Sequence, residues 1–203
     1  EVLRAELFEP AQMTTARMGL GHAQASAEGM TFDEYELLEP APRVAPSALA
    51  GAGGISASAL DLLAFHRALR DEKLLTRDEQ EPFYKLTHSI GDASGYGMGW
   101  TSRLVGGDYE LGHPGGLDGF NGVFTRRLHD DTFVAVLMNN DSVDARRIAL
   151  GVMELVDGRE PQRPEEPMER ALDPQRVPVV VGRYRLSDKS RKHYRGILDQ
   201  DAL

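Results

Sequence analysis

The 203-residue chain contains no cysteine, which excludes disulfide scaffolds, thiolate nucleophiles and cysteine-based metal sites. Its redox compartment therefore leaves no trace in the sequence. No apolar run approaches the ~18 residues that cross a bilayer, and no stretch reads as a secretory leader. Positive charge is scarce: 23 Lys and Arg against 32 Asp and Glu leave a formal net charge of -9. Nucleic-acid binders concentrate positive charge along one face to neutralise phosphate, so this balance argues against that class. Methionine is missing from position 1. The chain opens at Glu1, and Val2, Leu3 and Leu7 among charges read like the last turns of a helix already under way. The sequence is accordingly expected to be a fragment.

What is present is ordinary in proportion. Apolar residues make up 41% and charged residues 27% of the chain, as in soluble globular proteins and unlike disordered or fibrous ones. One domain with room for a tail is expected, able to bury roughly 70% of its unfolded surface. Residues 8–54 show little periodicity. Pro10, Pro40, Pro42 and Pro46, with glycines at 19, 21, 29, 51, 53 and 54, mark loops there. At most a short strand fits, around Phe32–Leu38. Ser58 with Asp61 three residues on then makes a capping box, and Leu62, Phe65 and Leu69 recur with helical spacing. Thr76 with Glu79 repeats the device and predicts a second short helix into Tyr84.

From Tyr96 the period changes to alternation. Strands are predicted near 96–104, 108–113, 120–127 and 132–139, close enough in sequence for an antiparallel meander. The apolar run Thr132–Met138 suits a central strand buried on both faces. Ser142 is placed to cap a final helix carrying Val143, Leu150 and Leu155, and Asn139-Asn140-Asp141 reads as capping-turn chemistry before it. Helices on either side of a run of strands predict an α+β fold, an antiparallel sheet covered by helices. Pro161, Pro164, Pro167, Pro174 and Pro178, interleaved with charges, predict a linker over 158–178. Beyond it Val179–Arg185 predicts a strand, opening a small C-terminal β segment over 179–203. The acidic excess lies in residues 1–157. Lys189, Arg191, Lys192 and Arg195 of the tail are diluted by Asp188, Asp199 and Asp201 and read as a solvated surface.

Candidate chemistry concentrates in Leu111-Gly112-His113-Pro114-Gly115-Gly116-Leu117-Asp118-Gly119-Phe120. Glycines at 112, 115, 116 and 119 let a ligand approach the backbone closely. Histidine is the side chain most readily set as a general acid or base near neutral pH. Spacing alone fits better a glycine-rich hairpin whose histidine is merely exposed. Trp100 either floors a cleft or fills a core, and Asp118 either faces the cleft or stabilises a turn. His66 reads as a half-buried packing residue. His22, His88, His129 and His193 show no metal-ligand spacing, so no metal site is expected.

Three blocks stand in a telling order: Ala52-Gly53-Gly54-Ile55-Ser56 with Asp61-Leu62 and Phe65, then Tyr96-Gly97-Met98-Gly99-Trp100, then Gly112-His113-Pro114-Gly115-Gly116 with Gly119-Phe120. With them, residues 1–157 resemble the second half of the penicillin-binding, β-lactamase-like serine hydrolases. That family includes class C β-lactamases, D-alanyl-D-alanine carboxypeptidases, D-aminopeptidases and many esterases. Glu1–Met18, with Leu7, Pro10 and Met13, is similar to the helix end and turn that precede these blocks. The resemblance implies a β-lactamase/transpeptidase-like fold, here a partial domain, and acyl transfer to water through an acyl-serine, without metal or organic cofactor. It carries His113, Pro114 and Gly115 onto the third active-site box, Lys-Thr-Gly or His-Thr-Gly, which lines the catalytic serine. Gly116 then supplies a backbone donor to the oxyanion. His113 becomes a polarising or proton-relaying partner, and Pro114, Trp100 and Asp118 lie on the substrate side. The Val181-Gly182-Arg183-Tyr184 stretch resembles the opening strand of a small β-rich domain that often follows.

The sequence departs from that pattern twice. Pro114 stands where threonine is common, removing a hydroxyl and a backbone donor; this points away from carboxylate-bearing β-lactams toward neutral esters, amides or D-peptides. The nucleophile motif Ser-x-x-Lys is absent, since Arg70, Pro82, Leu186 and Lys189 stand three residues before the four lysines, and no Tyr-x-Asn occurs. The resemblance places both motifs in an upstream segment or chain, the expected partner, and this chain alone is expected to be inactive. Dimerisation or co-purification with another fragment is expected, because half of a layered fold exposes apolar surface. Family members are commonly exported, which suggests a periplasmic or extracellular setting by resemblance alone. A non-catalytic binding module with the same fold remains the alternative.

Overall fold

Both capping boxes open a helix. The Ser58 hydroxyl accepts the Asp61 N–H while the Asp61 carboxylate accepts the Ser58 N–H, and helix α1, Ala59–Arg70, starts from that cap. Thr76 and Glu79 exchange the equivalent bonds at 2.8 and 3.4 Å ahead of α2, Arg77–Tyr84. A π-helical turn, Arg4–Phe8, precedes them. From it Phe8, with Ala11 and Met13, packs on Ala68 of α1 as a first core cluster. The computed structural model describes residues 1–19, 27–33, 37–42, 44, 49, 51, 53–84, 88–91, 94–105 and 107–161. All fall within the first of two units, Glu1–Gln162 and Arg163–Leu203. The linker predicted at 158–178, past residue 161, and the segment 179–203 lie outside the described residues.

The loop-rich stretch holds two small ladders. Strand β1, Arg17–Met18, pairs with β4, Ile55–Ser56, and β2, Met30–Phe32, pairs with β3, Leu38–Pro40. The single strand expected at Phe32–Leu38 is therefore a hairpin. Its reversal has a local cause: the Asp33 carboxylate accepts the Leu37 N–H at 2.8 Å, and the Asp33 N–H donates to the Leu37 carbonyl.

An antiparallel six-stranded sheet follows, in the order β10-β9-β8-β7-β6-β5. Its strands are β5 His88–Gly91, β6 Ser94–Gly97, β7 Trp100–Val105, β8 Asp108–Leu117, β9 Phe120–Arg127 and β10 Phe133–Met138. The strand expected at 96–104 divides at Met98-Gly99, where φ values of 47° and 84° make the two-residue turn that joins β6 to β7. Strand β8 continues four residues past its expected end at His113, so the glycine-rich box lies in a strand and not in a turn.

Cross-strand register sorts the side chains. Val123, Val134 and Val136 share one face and pack on Ala149 and Met153 of helix α3, Ala145–Val156. Phe124 and Phe133 share the other face, where Phe133 stacks on His66 of α1 at 4.7 Å. Strand β10 thus has helices on both faces, as its apolar run suggests, and among the described residues it ends the sheet, where a central strand was expected. Helix α3 starts two residues later than Ser142 would set it. Asp144 is its cap, accepting the Arg146 N–H, while Ser142 bonds back to Asn140. Asn139 and Asp141 reach elsewhere, to the Glu28 carbonyl and the Gly119 N–H. Among the described residues no helix is long and apolar enough to cross a membrane.

Candidate active site

Strand β8 outruns one of its neighbours. Its pairing with β7 ends at Gly112↔Thr101, whereas its pairing with β9 continues to Leu117↔Phe120. Among the described residues, 113–117 consequently have β9 on one side and an open edge on the other. The two-residue turn Asp118-Gly119 makes Leu117 and Phe120 a hydrogen-bonded closing pair. By alternation, the backbone groups of 113, 115 and 117 face β9 while those of 114 and 116 face the open edge. The Pro114 carbonyl and the Gly116 N–H and carbonyl are therefore presented outward. A proline fits a strand at such a position because the donor it lacks has no ladder partner to serve. A Cβ added at Gly115 or Gly116 would meet no atom within 4 Å, so the backbone here is bare.

His113 stands at the head of this edge. Its Nε2 is 3.2 Å from the Tyr96 hydroxyl and its Nδ1 is 2.5 Å from the Pro114 carbonyl oxygen. Thr101 anchors the strand by donating its hydroxyl to the Gly112 carbonyl at 2.7 Å. Trp100, the first residue of β7, lies between Phe65 at 6.4 Å and Phe124 at 5.5 Å. It also lines an apolar cavity of about 250 Å³ with Leu7, Leu69, Phe83 and Tyr84. It belongs to an aromatic row, Phe65–Trp100–Phe124–Phe133–His66, that joins α1 to the sheet. Asp118 is exposed in the β8–β9 turn. That turn is clamped from outside: the Gly119 N–H donates to Asp141 and its carbonyl accepts the Met30 N–H. The structure thus brings His113, Pro114, Gly115 and Gly116 onto one strand edge, with Trp100 half-buried between Phe65 and Phe124 and Asp118 at the turn.

The model of the family described as Beta-lactamase matches residues 1–156. The chain belongs to the beta-lactamase family. Among solved structures it is similar to an octameric penicillin-binding protein homologue from Pyrococcus abyssi, at 23% identity and TM-score 0.71, covering 80% of this chain and 38% of that one. It is similar also to a D-stereospecific amidohydrolase from Streptomyces sp., at 18% identity and TM-score 0.62, over 74% of this chain and 46% of that one. A D-amino acid amidase from Ochrobactrum anthropi aligns at 19% identity and TM-score 0.57, over 68% and 42%. The chain thus spans less than half the length of these solved structures. No curated protein matches.

In this beta-lactamase-family chain two features of the site escape the sequence. The open edge depends on where β7 begins, at Trp100, a boundary that disappears when 96–104 is taken as one strand. Tyr96 stands in the sequence within the Tyr96–Trp100 block, and nothing local marks it as a neighbour of His113. The signal that could have found the first is the Met98-Gly99 doublet, a two-residue turn pattern that closes the β6–β7 ladder at Gly97↔Trp100.

Proposed function

We propose that this chain carries the oxyanion-binding strand of a serine hydrolase that cleaves a neutral amide, ester or D-peptide bond through an acyl-serine intermediate. The observation that supports this most directly is the bare, open edge of β8 at Gly115-Gly116 beside His113. In the first step a serine oxygen attacks the substrate carbonyl, and the Gly116 N–H donates to the oxygen as it becomes negative. The proton given up by the serine hydroxyl passes to the leaving amine or alcohol as the bond to the carbonyl carbon breaks, and water then attacks the acyl-serine, releasing the acid and returning a proton to the serine oxygen. His113 stands where it can orient or relay a proton. The serine and its lysine come from polypeptide outside these 203 residues, because Ser-x-x-Lys does not occur within them. The names of two structural neighbours, a D-stereospecific amidohydrolase and a D-amino acid amidase, favour an amide of a D-amino acid as the substrate class. Pro114, which offers no hydroxyl to a substrate carboxylate, disfavours penicillins.

The missing nucleophile also supports a second reading, a binding module that keeps the cleft and has no chemistry of its own. Fluorophosphonate treatment of the purified protein, followed by intact-mass spectrometry of every species, separates the two. An adduct on a co-purifying polypeptide is the expected result. An adduct on the 22.3 kDa chain itself would show a nucleophile within it, against this proposal, and no adduct on any species would leave the binding module.

A further inference from the structure

The bonds around His113 define its tautomer. The Pro114 carbonyl oxygen, 2.5 Å from Nδ1, can accept but not donate, so Nδ1 carries the ring proton. In the neutral ring Nε2 is then an acceptor. The group set against it is the Tyr96 hydroxyl at 3.2 Å, which must donate. The phenol ring also meets the imidazole edge-on, with centroids 5.6 Å apart, so the ring plane is braced along with the proton. We propose that Tyr96 is a positioning residue of the candidate site, holding His113 as the neutral Nδ1–H imidazole at the head of the open β8 edge. The proposal rests on reading His113 as part of a hydrolase site.

Topology delivers Tyr96 to that place. The Met98-Gly99 turn ends the β6–β7 ladder at Gly97↔Trp100, which sets Tyr96 beside Thr101 and Thr101 beside Gly112. His113 is the next residue on β8 and the first without a β7 partner. The pairing has a chemical consequence: with both ring nitrogens engaged, His113 is not a free base. To take a proton at Nε2, the Tyr96 hydroxyl must turn from donor to acceptor, after which the imidazolium donates from both nitrogens, to Pro114 and to Tyr96.

Tyr96→Phe removes the hydroxyl and keeps the ring, so it tests the bond and spares the packing. In the intact protein, modification of His113 by diethyl pyrocarbonate, which attacks an unprotonated ring nitrogen, is read by peptide mass spectrometry against His129 as an internal reference. The expected result is a rise of about fivefold at His113 on loss of one hydrogen bond, with His129 unchanged. An unchanged His113 rate overturns the assignment. Long-range ¹⁵N–¹H correlation on the unaltered protein is a second readout that needs no variant to fold: the Nδ1–H tautomer is expected, and the Nε2–H tautomer overturns the proposal. Neither measurement uses a substrate, so the positioning role and the hydrolase reading can fail separately.

Discussion

Glycines four residues apart on one strand face opposite constraints. A Cβ at Gly112 would sit 2.1 Å from the Phe124 carbonyl oxygen, a backbone atom of the paired strand, whereas one at Gly116 meets open space. Gly112→Ala is expected to cost roughly 3 kcal/mol, since the ladder must part to admit it. Gly116→Ala is expected to stay within about 0.5 kcal/mol of the parent while lowering hydrolysis, because its methyl group enters the space proposed for substrate. Denaturant midpoints and turnover together check the contrast. His66 offers a pH test. It is buried at 3% exposure, and its pKa lies below the ordinary 6.5 because burial disfavours the cation and Arg126 and Arg70 repel it, against the attraction of Asp131. The unfolded chain therefore takes up this proton before the folded chain does, and stability declines as pH falls below about 6.5. The carboxylates of Asp61, Asp130 and Asp157, held below 3.8, titrate outside that window. His66→Gln, whose amide can still donate to Asp131, is expected to flatten the slope between pH 7.5 and 5.5 in denaturant melts. The sequence revealed His113 because glycines frame it, but not the burial of His66 or the partner of His113, since both depend on residues distant in the chain.

Helices were legible because their start signals are local. Ser58 and Asp61 specify α1 within four residues, but the same carboxylate also accepts the Thr15 N–H at 3.0 Å and the Thr15 hydroxyl, fastening the loop after the π-helical turn. Its pKa is lowered even though burial pushes it upward, because these donors together favour the anion. Asp61→Ala is accordingly expected to cost about 2 kcal/mol by removing the half-buried bonds to Thr15 together with the cap, more than the ~1 kcal/mol of a lost N-cap alone. Chemical denaturation of the variant beside Ser58→Ala checks the difference. Strand boundaries were less legible. Asp33 reverses the chain with one side-chain bond, and Met98-Gly99 folds a run that reads as one strand into two. For α3 two capping residues, Ser142 and Asp144, stand two apart, and the backbone chose the aspartate.

At the scale of the molecule the sequence pattern reports faces but not neighbours. The apolar run of β10 reflects helices α1 and α3 on its two faces, and periodicity carries no information about which strand lies beside which. The same limit hid what α3 leaves uncovered. Ala145, Ala149 and Met153 are inside, but Ile148, Val152 and Leu155, spaced four and three residues apart, form a second apolar stripe exposed by 42%, 37% and 61%. A stripe this continuous differs from the single apolar residues that any surface carries. Association through α3 is the expected outcome, with a second copy or with a companion polypeptide. Sedimentation of the protein as isolated should therefore give a mass above 22.3 kDa that rises with concentration or belongs to a fixed complex. Ile148→Asn combined with Leu155→Glu should reduce the mass to that of the single chain, with helical circular dichroism retained, because both side chains point away from the core that holds α3 to the sheet. A parent protein that sediments as a monomer at every concentration would show that the stripe is simply solvated.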